Sequence, residues 1–305
     1  MFDLPEPKKT ELPEELQKTE LNWPYIDYVR DRAVASPAAA VEFNGVLEIF
    51  YVRQTENGNV LAHTQFIGSA DKNRVITVAD GPEFAGISGL RPAVLVYEHL
   101  LYCFYVRTDK AMCYSIYDGA KWTGPHRAPV DSMSGPGVAV EYDAWSFDLT
   151  LVFQEMSKCV LSIRHYNGSK WSSRDLDSNP TVPLGGVAVA AFEDMVYVAL
   201  NDIMIGEGTY IMPMLYDVPQ TEINLTYSAA GSPSLCASKG KLYCASAHKS
   251  TNACLISSYS DSVWSEPQAI HGLRLKGSPC LAEFKGSLYL LSVNTVGVDI
   301  FKCDQ

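Results

Sequence analysis

Residues 22–29 read NWPYIDYV, and the chain runs on as RDRAVASPAAAVEFNGVLEIFYVR to Arg53. A tryptophan followed by a short apolar strand closes a structural unit elsewhere in this chain, yet here it precedes the first one. Internal repetition explains the order. Six segments open alike: SPAAAVEFNGVLEIFYVR at Ser36, RPAVLVYEHLLYCFYVR at Arg91, GPGVAVEYDAWSFDLTLVFQE at Gly135, GGVAVAAFEDMVYVALND at Gly185, SPSLCASKGKLYCASAH at Ser232 and SPCLAEFKGSLYLLSVN at Ser278. Their second residues, Pro37, Pro92, Pro136, Gly186, Pro233 and Pro279, are 55, 44, 50, 47 and 46 residues apart. Each segment is a short apolar run, a turn and a second run rich in Tyr, Val, Leu and Phe, which is a β-hairpin pattern.

The second halves repeat as well. CYSIYDGAKWTGP ends at Pro125, LSIRHYNGSKWSSR at Arg174 and LISSYSDSVWSEP at Pro267. Asp-Gly and Asn-Gly favour the positive φ angles of a type I′ turn, so a third strand is expected to turn tightly into a fourth that carries Trp. The copy around Tyr216 lacks that Trp and is the most eroded. Four strands in roughly 47 residues, six times over, predict an all-β fold, a six-bladed β-propeller.

Counting from tryptophan settles the opening stretch. Trp122 lies 14 residues before Pro136, Trp171 lies 15 before Gly186 and Trp264 lies 15 before Pro279. Trp23 lies 14 before Pro37, so NWPYIDYV is a fourth strand placed ahead of the first copy. The sixth copy stops at Gln305 without a fourth strand, and the N-terminal strand is expected to complete it, leaving no open blade edge. The organisation read from this is a polar arm over residues 1–21 and a single propeller over 22–305.

Composition narrows the partners. A formal net charge of −11 argues against nucleic acid and anionic membrane surfaces. No apolar run is long enough for a transmembrane helix, so no membrane insertion is expected. The N-terminal MFDLPEPKKTELPEELQKTE has no apolar signal core, which predicts a cytoplasmic protein. The sequons at Asn167 and Asn224 would then stay unused. Among eight cysteines, Cys103/Cys113 and Cys244/Cys254 share a separation of ten in matching segments. They read either as small apolar side chains of facing strands or as cross-strand disulfides. No Cys or His spacing suits a metal, and no nucleotide-binding or nucleophile motif is present, so neither metal nor cofactor is expected.

Aligning the second strands puts Arg53, Arg107, Glu155, Asp202, His248 and Asn294 at one equivalent position. All are polar and they differ from blade to blade. The strand-one entries add Arg91, with Ser232 and Ser278 among the small residues beside it. The bland interpretation is a solvated rim of strand ends. The functional one is a single asymmetric site in a central funnel. There Arg53, Arg107 or Arg91 would stabilise charge on a carbonyl oxygen, and Glu155, Asp202 or His248 would move a proton. Arg91, Asn294, Ser232 and Ser278 are the expected substrate contacts.

The pattern SPxLAxFxGxLY…YDGxxWSxP resembles repeat proteins related to fucose-binding lectins and sialidase-like propellers. Ser115, Gly119 and Trp122 keep the spacing of a sialidase Asp-box while Asp118 falls one place late, so working sialidase chemistry is not implied. In size and blade degeneracy the chain also resembles small fungal propellers of natural-product pathways, including cofactor-free hetero-Diels–Alderases of tropolone sesquiterpenoid biosynthesis. That resemblance implies dehydration, cyclisation or cycloaddition of an apolar, partly oxygenated small molecule. The lectin resemblance implies a saccharide partner instead, and a protein-interaction scaffold is the third possibility.

Overall fold

A computed structural model describes residues 22–68, 78–80, 86–142, 147–157, 160–175, 185–201, 208–215, 218–225, 227, 229–294 and 297–304. The expected polar arm at 1–21, Asp202 and Cys159 lie outside them. Every regular element among the described residues is a β-strand. None of them forms a helix long and apolar enough to cross a membrane.

The strands form six antiparallel sheets, the blades of a six-bladed propeller. From the centre outward, blade 1 is Ala39–Phe43, Val46–Thr55, Gly58–Phe66 and Val78–Asp80, and blade 2 is Ala93–Tyr97, Leu100–Val106, Ala111–Tyr117 and Trp122–Asp131. Blade 3 is Gly137–Tyr142, Phe147–Gln154, Leu161–Tyr166 and Trp171–Asp175. Blade 4 is Ala188–Phe192, Met195–Leu200 and Thr209–Leu215, with Val218–Pro219 and Ile223–Leu225 both pairing with its third strand. Blade 5 is Ala229–Ser238, Lys241–His248 and Ala253–Ser260, with Val263–Trp264 and Gln268–Arg274 both on its third strand. Blade 6 is Cys280–Phe284, Ser287–Asn294 and Gly297–Lys302, completed by Tyr25–Arg30.

Closure follows the reading from Trp23. Tyr28 faces Asp299, Val29 faces Val298 and Arg30 faces Gly297 in antiparallel register, and Asn22 bridges to Asp304. Two anchors hold this strand. Trp23 is buried in the core between blades 5 and 6, and Val29 in the core between blades 6 and 1. Gly297 is required where the strand arrives, because a Cβ there would overlap the Val29 carbonyl oxygen.

The outer-strand tryptophans Trp122, Trp171 and Trp264 each wedge their blade against the preceding one. Trp122, Trp171 and Trp264 sit directly opposite Tyr117, Tyr166 and Tyr259, with ring centroids 5.0, 4.9 and 5.4 Å apart. Trp122 then meets the Phe50 ring of blade 1 edge-on at 5.7 Å, and Trp171 meets Phe104 of blade 2 at 6.2 Å. Blade 4 has no such wedge. Its joint with blade 5 is an apolar core of Phe192, Tyr197, Leu235 and Leu242 that also holds a buried polar cluster, in which the Thr209 hydroxyl donates to Asn201 Oδ1 at 2.8 Å and lies 2.9 Å from Ser246 Oγ.

One turn expectation needs correction. The Asp118-Gly119 and Asn167-Gly168 hairpins are not two-residue type I′ turns. Each loop spans four residues, with only the glycine at positive φ. The Asp118 carboxylate accepts the N–H groups of Lys121 and Ala120, which hold its carboxyl below the ordinary range. A side chain able to cap two N–H groups stabilises the longer loop. Paired positive φ angles occur instead at Asp261-Ser262 and at the first hairpins of blades 1, 2, 5 and 6, among them Asn44-Gly45 and Lys285-Gly286.

The cysteine alternatives resolve toward free thiols. Cys103 faces Ser115 and Cys113 faces Tyr105, while Cys244 faces Ser257 and Cys254 faces Ala247, so neither pair is directly opposed. All four are free. Burial pushes the Cys103 and Cys254 thiols up and raises that of Cys244 to about 12. The thiolate is the reactive form. Brief alkylation near pH 8 is therefore expected to leave these cysteines unlabelled in the native protein and to label them after unfolding. Intact mass and peptide mapping check this, and labelling of Cys244 in the native state would contradict the packing.

Candidate functional site

The inner strands of all six blades line a central channel, to which residues such as Ala39, Pro92, Gly137, Val187, Leu235 and Cys280 contribute. Small and apolar side chains there let the strands approach closely, and the free space is only about 80 Å³. Organic ligand sites run to roughly 300–1,000 Å³. A sesquiterpenoid does not fit. Arg91 further narrows the channel: it reaches across to blade 5, donating through Nη1 to the Pro233 carbonyl at 2.9 Å and through Nη2 toward Ser234 Oγ at 3.4 Å.

The described strand-two ends do not gather around this channel. They sit one strand farther out and are occupied locally. Arg53 bridges to Val34 and Arg107 to Ile87, where Arg107 also pairs with Asp109 at 3.6 Å. His248 Nδ1 lies 2.9 Å from Thr251 Oγ1 in its own turn, and Asn294 Oδ1 accepts the Gly297 N–H at 3.0 Å. Ser232 and Ser278 are buried and stitch neighbouring blades, the Ser232 N–H donating to Ser278 Oγ at 2.7 Å. Of the expected residues that are described, only Arg91 lines the channel. The structure thus does not assemble a central funnel from the described members of the set.

Glu155 lies elsewhere, in the cleft between blades 2 and 3. Strand Phe147–Gln154 buries Leu149, Leu151 and Phe153 against blade 2. The strand ends at Glu155, whose backbone bridges to Ser132 and whose N–H donates to the Val160 carbonyl at 2.9 Å. Its carboxylate accepts the Ser157 hydroxyl at 2.7 Å and the Ser162 hydroxyl at 3.0 Å. Arg164 Nη2 stands 3.5 Å from the same carboxylate, and its Nη1 donates to the Ile163 carbonyl at 2.8 Å. The guanidinium rests over the Phe153 ring, 5.6 Å from its centroid. With side chains only 16% and 10% exposed, the pair is held by its surroundings rather than waving in solvent.

Opposite them, the outer strand of blade 2 contributes Arg127 and Asp131, an exposed pair at 3.0 Å, with Pro129 and Val130. Met156 and Ser157 complete the lining, and the cleft has a volume of about 500 Å³, inside the small-ligand range. Two guanidinium and two carboxylate groups balance its charge.

No other described blade repeats this pair. Arg164 faces Leu151 across the second and third strands of blade 3. The equivalent positions hold Thr64, Ser115, Met212, Ser257 and Phe301. Glu155 was visible from the sequence through alignment of second strands. Arg164, Arg127, Asp131 and Met156 were missed. Aligning the third strands in the same way would have exposed Arg164 as the one guanidinium in its column.

No protein-family model matches the chain, and no curated protein matches it in sequence. Solved structures do match in fold. The Aleuria aurantia lectin bound to Fucα1-6GlcNAc superposes with a TM-score of 0.64 at 14% identity, covering 89% of this chain and 95% of the lectin. AofleA from Arthrobotrys oligospora gives 0.63 at 11% identity, with 92% and 86% covered. The Hadza microbial sialidase Hz136 gives 0.64 at 16% identity, with 91% and 68% covered. At such identities the likeness is one of fold.

Proposed function

We propose that this propeller binds a neutral, oxygen-rich small ligand of the saccharide class, one per chain, in the cleft between blades 2 and 3. The observation that carries this reading is the Glu155–Arg164 pair, set beneath that cleft and unmatched among the described positions of the other blades. A sugar hydroxyl both donates and accepts. A carboxylate beside a guanidinium therefore satisfies two neighbouring hydroxyls, while Met156, Val130 and Pro129 offer an apolar surface to the C–H face of the ring. Balanced charge in the lining suits a neutral ligand over an ion. The shared fold with a lectin crystallised with a fucosylated disaccharide supports the same class.

Titration calorimetry with a panel of monosaccharides and fucosylated disaccharides tests it. One site per chain is expected. A hydrogen bond to a charged group is worth about 1.5–3 kcal/mol, so Glu155→Gln or Arg164→Met should weaken binding by roughly ten- to a hundredfold. No saccharide binding, or several sites indifferent to both substitutions, would overturn the reading.

The uniqueness of the cleft also favours a second reading, a cofactor-free cyclase acting on an oxygenated apolar substrate. A repeat lectin has reason to duplicate its contact set, whereas an enzyme needs one site. In that reading Glu155 transfers the proton of a dehydration, Arg164 and Arg127 stabilise growing charge on a carbonyl oxygen, and the cleft holds the reacting π-systems in register. Product formation from an oxygenated polyene, followed by mass spectrometry and abolished in Glu155→Gln, would support it. Equal rates with and without the protein would end it.

A further inference from the structure

The central channel contains a second feature that the cleft does not explain. Among the described residues Arg91 is the one charged group lining it, and no carboxylate lies within ion-pair distance of it. Its two recorded acceptors, the Pro233 carbonyl and Ser234 Oγ, are neutral. The sulfur of Cys280 lines the same channel near the guanidinium. That sulfur brings no charge near neutral pH, because burial pushes the thiol above its ordinary value. A guanidinium held part-buried among apolar strands, with no carboxylate beside it, is a favourable partner for an anion.

The geometry points to a compact oxyanion, a carboxylate or inorganic phosphate in size, bound in the central channel by Arg91. The free space of about 80 Å³ exceeds what one water needs and is too small for a sugar or a terpenoid. Groups from opposite blades meet there: the Arg91 guanidinium from blade 2 and, from blade 5, the Ser234 hydroxyl, whose oxygen accepts Arg91 Nη2 and the Leu281 N–H and whose proton is left to donate. Arg supplies a fork of N–H groups that matches two oxygens of one anion. The bound ion would tie blades on opposite sides of the ring together and so act as a structural ligand. This site is separate from the cleft and does not depend on the cleft's function.

The test is calorimetry and thermal unfolding of the full chain with sodium phosphate and, separately, sodium acetate, at constant ionic strength maintained with sodium chloride. Saturable one-to-one binding of at least one oxyanion by the unaltered protein is expected, with Tm rising as the site fills. The acetate and phosphate arms tell a carboxylate site from a phosphate site. Arg91→Met should weaken that binding at least about tenfold and Arg91→Lys should retain part of it, whereas Arg164→Met should leave it in place. Absence of saturable binding to the unaltered protein overturns the proposal even if Arg91→Met fails to fold. Binding lost in Arg164→Met but kept in Arg91→Met also overturns it, since the anion would then sit in the cleft.

Discussion

A chain lacking residues 1–29 is expected to lose cooperative folding and to aggregate. Those residues include nearly all of the outer strand of blade 6, and without it Gly297–Lys302 becomes an open edge of unpaired N–H and C=O groups. The truncation also removes two buried anchors from different cores, Trp23 at 7% exposure and Val29 at 1%. Removing a buried Trp side chain alone costs about 3–5 kcal/mol, against a total stability of roughly 5–15 kcal/mol for a typical domain. Trp23→Ala should therefore lower Tm steeply with the strand still present. Trp23→Phe should be much milder, because the indole N–H has no hydrogen-bond partner among the described residues to lose. Size-exclusion chromatography and thermal unfolding check the series. A truncated chain that remains a soluble monomer with one unaltered transition would refute the role assigned to this strand.

Breaking the buried Glu48–His63 pair is expected to be the costliest single side-chain change away from the closure. His63 Nε2 contacts Glu48 Oε2, and Gln65 Nε2 donates to the other carboxylate oxygen at 3.0 Å. Both members are almost fully buried at the joint of blades 1 and 2. The imidazole stacks on Phe50 with centroids 4.5 Å apart and planes 5° from parallel, and Trp122 of blade 2 closes the box edge-on at 5.8 Å. Removing one member leaves the other polar and dry, which costs about 3–5 kcal/mol. Glu48→Ala and His63→Ala should each lower the denaturation midpoint accordingly. Replacing both by apolar groups of similar shape, Glu48→Leu with His63→Phe, should recover much of the loss, since no orphaned group remains. A double-mutant cycle in urea measures the coupling. Single variants within about 1 kcal/mol of the parent would show that the pair is not energetically linked.

The two expected results differ in how far they were visible from residues alone. The closing strand was legible because the spacing from Trp to the next repeat recurs within one residue, and a recurring spacing in a repeat protein means an equivalent place in the fold. The Glu48–His63 contact was not. His63 appeared in the sequence only as a histidine without a ligand-spaced partner. Its contact with Glu48 follows from strand register, in which Glu48 faces Gln65 and Phe50 faces His63 across the second and third strands of blade 1. The turn at Asp118 shows a similar limit. The dipeptide favoured a tight turn, but the carboxylate reaching the Ala120 and Lys121 N–H groups made a longer loop the better one.

Blade number, chain closure and the division of each blade into hairpins were determined by the sequence itself, because they depend on period, alternation and turn residues along a local stretch. Which polar groups meet was decided only in three dimensions. Strand-two ends that align in the repeat lie on different blades and outside the inner ring, so alignment did not bring them together. The cleft joins Arg127 and Asp131 of one blade to Glu155 and Arg164 of the next. Arg91 finds its partners 142 and 143 positions away, on the far side of the ring. Such encounters depend on how closely the inner strands pack and how each blade leans on its neighbour, and no repeat period encodes either.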